Sequence, residues 1–145
     1  VRLWPVSRET MPKPYVRIPQ IEDTMLQATL RRVAGLGGHE PVLVVCNEEH
    51  DFIVHSQASS ATGQGVRLLL EPEGRNTAAA ICAAALVQAA RGSDAPMVVL
   101  PADHMITNDA SFAAAVASGV ELAEQGHLMT FAIRPTFPAT GYGYL

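Results

Sequence analysis

Arg2 and Lys13 are two basic residues in an amino-terminal loop that contains several prolines. Cations fixed on such a loop suit a polyphosphate ligand, because the negative charge of a polyphosphate must be neutralised before a nucleophile can approach it. Arg8 lies between them and is a third candidate. The same residues are also compatible with a solvated basic loop that binds no ligand.

The turn at residues 71–77 has the sequence EPEGRNT and joins a short aliphatic run to an alanine-rich run. It therefore lies where a strand is followed by a helix, and nucleotides bind at such turns in parallel sheets. Asn76 or Thr77 can cap the helix, whose first amides can bind an anion or the polar edge of a base. Arg75 can pair with a phosphate or, as a purely structural ion pair, with a neighbouring glutamate.

Asp103 follows another aliphatic run, at residues 97–100. A carboxylate exposed at a strand end is a good ligand for Mg²⁺, which takes few protein oxygens and completes its shell with phosphate and water. The alternative is that Asp103 caps a turn. His104 is better interpreted as a hydrogen-bonded neighbour than as a ligand, and no second histidine or cysteine has a spacing that suits zinc.

Gly141 and Gly143 are separated by one residue in the segment TGYGY, at residues 140–144. Glycines let the backbone approach a ligand closely, and the amides of this segment would suit sugar hydroxyls. An ordinary tight turn at the start of a strand is the alternative.

Predicted strands and helices alternate along the chain and must position these groups. Aliphatic runs predict strands at residues 41–46, 65–70, 97–100 and 128–133, and helical spacing predicts helices at residues 23–33, 48–56, 76–91 and 111–125. Gly92 and Gly126 are the expected helix stops. The alternation predicts an α/β fold with a mainly parallel sheet, in which ligands sit at the carboxyl ends of the strands.

The composition of the chain is that of one globular domain, with 145 residues, 48% apolar and 17% charged residues, and a net charge of −4. No basic patch indicates a nucleic-acid partner. The longest nearly apolar stretch, residues 77–90, contains Gln88 and is too short to span a bilayer, so no membrane partner is expected. Cys46 and Cys82 are expected to be buried free thiols in a reducing compartment, which predicts a cytoplasmic location.

The order and spacing of these segments resemble the sugar-1-phosphate nucleotidyltransferases, and more narrowly the bacterial mannose-1-phosphate guanylyltransferases. The likeness rests on RLWPVSR at residues 2–8 followed by Pro12-Lys13, EPEGRNTA at residues 71–78, VLPADH at residues 99–104 and TGYGY at residues 140–144. It implies a three-layer Rossmann-like nucleotidyltransferase fold with a mainly parallel central sheet. Residues 1–145 would be part of that domain, which would be incomplete at both ends.

The resemblance implies transfer of a guanylyl group from GTP to mannose 1-phosphate with Mg²⁺ as cofactor, without a covalent enzyme intermediate. Arg2 would hold the β- and γ-phosphates of GTP, and Lys13 would hold the α-phosphate and the incoming sugar phosphate. Asp103 would hold the metal, and Gly143 would approach the hexose. The turn at residues 71–77 would lie at the guanine and ribose end through Glu71, Gly74, Arg75 and Asn76.

The chain also departs from the family pattern. Pro14-Tyr15 replaces a glutamine and a phenylalanine, and the family's glycine-rich loop would precede residue 1. We therefore expect activity only from a longer chain. A catalytically silent relative that binds a sugar nucleotide, or an enzyme for another sugar 1-phosphate, stays open, as do a homo-oligomer and a following isomerase domain.

Overall fold

The computed structural model describes residues 11–17, 22–38, 41–63, 65–138 and 140–141. Within these ranges, short 3-10 turns cover Lys13–Tyr15 and Glu48–His50. The regular elements are α1 (Met25–Ala34), β1 (Leu43–Asn47), α2 (Asp51–Thr62), β2 (Arg67–Glu71), α3 (Asn76–Ala90) and α4 (Asp109–Glu124). Each begins within about three residues of the bound expected from the sequence and ends close to it, except α2, which continues to Thr62 where the sequence predicted an end at residue 56.

The two strands pair in parallel, with Leu43 opposite Arg67 and Asn47 opposite Glu71. Parallel neighbours need a crossover connection, and α2 provides it. The prediction of an α/β fold with a parallel sheet is therefore confirmed. Because both strands run in the same direction, their carboxyl ends lie at one edge of the sheet, followed by the first residues of the next segments.

The core lies between α1, α2 and the two strands. Leu30 and Val54 are its most deeply buried large side chains, with 2% and 0% of their surface exposed. Its other buried members are Leu26, Cys46, Ala58 and Ala61. Tyr15 and Ala102 also pack against this cluster, so two loop segments distant in sequence are attached to the same core.

The predicted helix stops at Gly92 and Gly126 are confirmed. Both glycines have left-handed backbone, with φ of 74° and 89°, which costs a residue without Cβ little. The amide of the residue after each glycine reaches back into the last helical turn, from Ser93 to the Gln88 carbonyl and from His127 to the Leu122 carbonyl. These bonds satisfy carbonyls that a helix end leaves free.

The strands predicted at residues 97–100 and 128–133 are wrong. Both segments are irregular, and neither forms a ladder with any part of the chain that the structure describes. Their apolar side chains are exposed, with Val99 at 50% and Leu128 at 97%. An aliphatic run has the composition of a strand, but it becomes one only where a second strand accepts its hydrogen bonds.

Both cysteines are free, as predicted, but only Cys46 is buried. The expectation of burial was wrong for Cys82, because the described residues cover little of α3, in which Ala84 is the one buried residue. No helix in the described ranges has both the length and the apolar composition that crossing a bilayer requires.

Candidate functional site

The turn that carries Lys13 is held rigidly by its own backbone. Pro12 precedes it and Pro14 lies within it, and the ring of each proline fixes φ. The Tyr15 amide donates to the Pro12 carbonyl at 3.0 Å, and the Val16 amide donates to the Lys13 carbonyl at 3.3 Å. Lys13 is the only lysine in the sequence, so this turn presents the only ammonium group that a side chain can supply.

Lys13 contacts Asp103 although 90 residues separate them. Its Nζ atom donates to the Asp103 carbonyl oxygen at 2.9 Å and lies 3.6 Å from the carboxylate Oδ2. The Lys13 side chain is 36% exposed and the Asp103 side chain 44%, so both are open to solvent and to a ligand. The ion pair itself contributes little to stability at such exposure. Its significance is that a cation and a carboxylate from distant segments of the chain lie side by side.

Tyr15 anchors the turn to the core. Its ring lies 5.2 Å from the His50 ring at a tilt of 46°. Burial, and then the neighbouring Cys46, raise the pKa of Tyr15 to about 12. Burial also raises the pKa of Cys46, with further contributions from the carboxylates of Asp51 and Glu71. Cys46 lies opposite Leu70 in the parallel ladder, one residue before the end of β2, and Tyr15 packs against the core cluster that contains Cys46.

The turn at residues 71–77 begins at that end. Arg75 pairs with Glu73 at 2.6 Å, and their side chains are 72% and 69% exposed. The structure thus contains the local ion pair that the sequence left as one of two alternatives. Within the described residues, neither partner forms an ion pair or hydrogen bond with Lys13 or Asp103.

Asn76 opens α3 with φ of 62°, and it is the one residue other than glycine in the described ranges with positive φ. Left-handed backbone is unfavourable for residues with a side chain, least so for asparagine, and it recurs at ligand sites. Arg75 is the residue that precedes the helix, and its side chain forms no capping bond. The expectation that Asn76 or Thr77 is the cap is therefore wrong, because the helix begins one residue earlier than a cap at Asn76 would allow.

The sequence-predicted site residues fall into three groups. Lys13 and Asp103 touch. The residues of the second group lie between the end of β2 and the start of α3: Glu71 is the last residue of β2, and the exposed Gly74, Arg75 and Asn76 follow it. Arg2 and Gly143 lie outside the described residues, so their placement stays a prediction.

Asp103 fits the requirements of a divalent cation in one respect. Its carboxylate is accessible, and its Oδ1 atom is 3.9 Å from the His104 ring. The described residues contain no cluster of three or more metal-ligating side chains. A single carboxylate matches Mg²⁺, which is commonly held by one or two carboxylates with substrate phosphates.

Sequence reasoning missed the polar residues that support the Lys13 turn from behind. The Gln57 side chain donates to the Tyr15 carbonyl at 3.0 Å and accepts from Thr24 at 2.7 Å. Thr24 and Gln27 form a capping box at the start of α1. The spacing of Thr24 and Gln27 is a readable signal for that box. Nothing in the sequence around Gln57 indicates a bond to a residue 42 positions away.

An open cavity of about 270 Å³ lies beside His104, between α1 and the start of α4. Its charged groups are paired within the protein: Arg31 with Asp23 at 2.7 Å, and Arg32 with Asp109 at 2.9 Å. These pairs fasten α1 to its preceding loop and to α4. The cavity is therefore bordered by residues that hold the fold together.

Comparison with known proteins gives a consistent result. A model of the family described as Nucleotidyl transferase matches residues 1–145. The chain is 49% identical over 144 residues to the xanthan biosynthesis protein XanB of Xanthomonas campestris pv. campestris, covering 99% of the chain and 30% of that protein. No solved structure matches the chain.

Two further relatives match over the same share of the chain. A mannose-1-phosphate guanylyltransferase of Escherichia coli is 47% identical over 144 residues, and the alginate biosynthesis protein AlgA of Pseudomonas aeruginosa is 42% identical over 144 residues. In both cases the match covers 99% of the chain and 30% of the relative. The chain thus spans about 30% of the length of these curated relatives.

Proposed function

The chain belongs to the nucleotidyl transferase family, and we propose that the full-length protein transfers a guanylyl group from GTP to mannose 1-phosphate, giving GDP-mannose and pyrophosphate. The observation that carries this proposal is the contact of Lys13 with Asp103, 2.9 Å from Nζ to the carbonyl oxygen. It joins two of the segments on which the likeness to guanylyltransferases rests. The identity of 47% to a mannose-1-phosphate guanylyltransferase supports the choice of substrates.

The proposed reaction is an in-line displacement at the α-phosphorus of GTP. A phosphate oxygen of mannose 1-phosphate forms the new P–O bond while the bond to the β-phosphate breaks, and pyrophosphate carries away the bonding electrons. Two anions must meet in this step, so rate depends on neutralising and aligning them. The Lys13 ammonium does both at the α-phosphate and the sugar phosphate, and it lies beside Asp103 because both segments pack on the same core.

Nucleotidyl transferases generally use divalent metal ions, and we propose Mg²⁺ for this protein. Asp103 would hold it, and the bound ion would neutralise phosphate charge in the transition state. The Asp103 carboxylate is 44% exposed, which leaves room for such an ion beside Lys13.

The proposed guanine and ribose end is the turn after β2. Its left-handed Asn76 and the exposed Arg75 support this assignment. Arg75 would exchange its partner Glu73 for the nucleotide, which costs little because the existing pair is exposed. Arg2 would hold the β- and γ-phosphates and Gly143 the hexose. We also propose that residues 1–145 form part of the catalytic domain and that the reaction takes place in the cytoplasm.

The test is pyrophosphate release by the full-length protein with Mg²⁺, mannose 1-phosphate and each of GTP, ATP, CTP and UTP. We expect release with GTP, together with GDP-mannose on chromatography. Release with another nucleotide and none with GTP would move the protein to a neighbouring branch. Tight calorimetric binding of GDP-mannose without release would identify a catalytically silent relative. Replacing mannose 1-phosphate by glucose 1-phosphate tests the sugar.

A further inference from the structure

We propose that Gln57 is a positioning residue for the reaction, because it fixes the turn that presents Lys13. This inference rests on the proposed function of Lys13. Gln57 lies in α2, and its side-chain amide forms a hydrogen bond from that helix to the turn. Its hydrogen bonds in the described part of the chain go to Tyr15, Thr24 and Ser60, so it would act on Lys13 through the backbone.

Both ends of the Gln57 amide are used. Its Nε2 donates to the Tyr15 carbonyl at 3.0 Å, and its Oε1 accepts from the Thr24 hydroxyl at 2.7 Å. The orientation of the amide is determined by its partners, because a carbonyl oxygen can only accept. The Thr24 hydroxyl already accepts from the backbone N–H of Gln27 at 3.2 Å, and it donates its own proton to Gln57 Oε1. The opposite orientation of the Gln57 amide would place its Oε1 against the Tyr15 carbonyl oxygen and lose that bond, because neither oxygen can donate.

The partners of Gln57 are themselves fixed. Thr24 is 3% exposed and caps α1, and its own amide donates to the Gln27 side chain at 2.9 Å. The Gln27 side-chain amide then donates to the Ser60 hydroxyl at 2.7 Å, and the Ser60 hydroxyl donates to the backbone carbonyl of Gln57 at 2.9 Å. The network closes on itself between α1 and α2. Gln57 therefore connects the turn to two helices that are already joined by hydrogen bonds.

One peptide group connects Gln57 to the Lys13 backbone. The carbonyl of the Tyr15–Val16 peptide accepts from Gln57, and the N–H of the same peptide donates to the Lys13 carbonyl at 3.3 Å. A displacement of this peptide would therefore shift the Lys13 backbone. A misplacement of about 1 Å in a catalytic group can lower the rate roughly 10²-fold. Gln57 can therefore influence the position of the Lys13 ammonium through this peptide group and the Lys13 backbone.

The decisive variant of the full-length protein is Gln57→Glu. The glutamate keeps the shape of the side chain and can still accept from Thr24, but its ionised form cannot donate to the Tyr15 carbonyl. We expect kcat for pyrophosphate release to fall about 10- to 100-fold, while KM for GTP changes by less than about threefold. An unchanged kcat would overturn the proposal.

Two controls separate positioning from loss of stability. Gln125→Glu makes the same substitution at an exposed glutamine that also donates to a carbonyl, that of Glu121, and we expect no change in kcat. Ser60→Ala removes two hydrogen bonds of the network without touching the Tyr15 carbonyl. If Ser60→Ala lowers Tm as much as Gln57→Glu and also lowers kcat equally, the role is structural and the proposal fails.

Chemical labelling of Lys13 gives a readout that does not depend on catalysis. Trypsin releases residues 9–17 as one peptide, because Pro14 protects the Lys13 bond, so acetylation of Lys13 is read directly by mass spectrometry. We expect Gln57→Glu to raise the acetylation rate several-fold and both controls to leave it unchanged. If the wild-type protein releases no pyrophosphate, the proposed function fails, and labelling alone decides whether Gln57 positions Lys13. Equal labelling of wild type and Gln57→Glu would overturn that role.

Discussion

The Lys13 ammonium donates a hydrogen bond of 2.9 Å to the backbone carbonyl of Asp103 and lies 3.6 Å from its carboxylate, across 90 residues of chain. The two residues come from segments that pack on the same core through Tyr15 and Ala102. The contact is therefore fixed by the packing of both segments and not by the weak attraction between two exposed charges.

Lys13→Ala should lower kcat/KM for pyrophosphate release by roughly 10²–10³, because it removes a preorganised charge contact. The thermal midpoint of the full-length protein should change little, since the side chain is 36% exposed. Lys13→Arg keeps the charge and should retain more activity than the alanine variant. Wild-type turnover in Lys13→Ala would remove this residue from the site.

The contact was only partly predictable. The alternation of predicted strands and helices indicated a parallel sheet, in which the carboxyl ends of the strands lie at the same edge. The parallel pairing of β1 with β2 confirms this. Asp103 does not follow a strand of the described residues, however, because residues 97–100 form no ladder. An aliphatic run shows that a segment is hydrophobic. Whether the segment forms a strand depends on a second strand, elsewhere in the chain, that can pair with it.

The hydrogen bonds of Gln57 are a second feature that the sequence could not predict. Its bonds to Tyr15 and Thr24 join residues 42 and 33 positions apart, and no local pattern specifies such pairs. Helix ends are different, because their determinants are local. Gly92 and Gly126 were therefore readable as stops, and the capping box of Thr24 with Gln27 could have been read in the same way.

Arg75→Ala should leave stability almost unchanged but weaken GTP binding. The pair of Arg75 with Glu73 is exposed, at 72% and 69%, and such pairs contribute about 0–1 kcal/mol. Loss of a guanidinium contact to the nucleotide should raise KM for GTP by roughly tenfold. Glu73→Ala is the matched control, because it removes the same ion pair and keeps the guanidinium. Equal KM values in the two variants would argue that Arg75 has a structural role alone.

Asn76→Ala should lower the free energy of unfolding by about 1 kcal/mol, because alanine is unfavourable in left-handed backbone. Asn76→Gly should be close to wild type in the same denaturation experiment, because glycine adopts φ of 62° without that penalty. The pair of variants separates backbone conformation from the amide side chain. Equal stability of the alanine and asparagine proteins would show that the turn relaxes.

Alkaline pH should destabilise the fold through Tyr15. Burial and the neighbouring Cys46 raise the pKa of Tyr15 from 10.0 to about 12, so the neutral phenol is favoured in the folded state. This contribution is fully present below pH 10, is reduced as pH rises above 10, and is lost as pH passes through about 12. Thermal midpoints measured across this range should fall less steeply for Tyr15→Phe than for the wild type. Parallel slopes would place the phenol in a solvent-like environment.

We propose that Lys13 and Asp103 act as one unit in guanylyl transfer, and a double-mutant cycle on kcat/KM with GTP and mannose 1-phosphate tests this most directly. Lys13→Met and Asp103→Asn should each lower kcat/KM by about 10². The double variant should lose little more than the weaker single variant, because residues that act together are not additive. Losses that multiply to about 10⁴, or a single variant with wild-type activity, would contradict the claim.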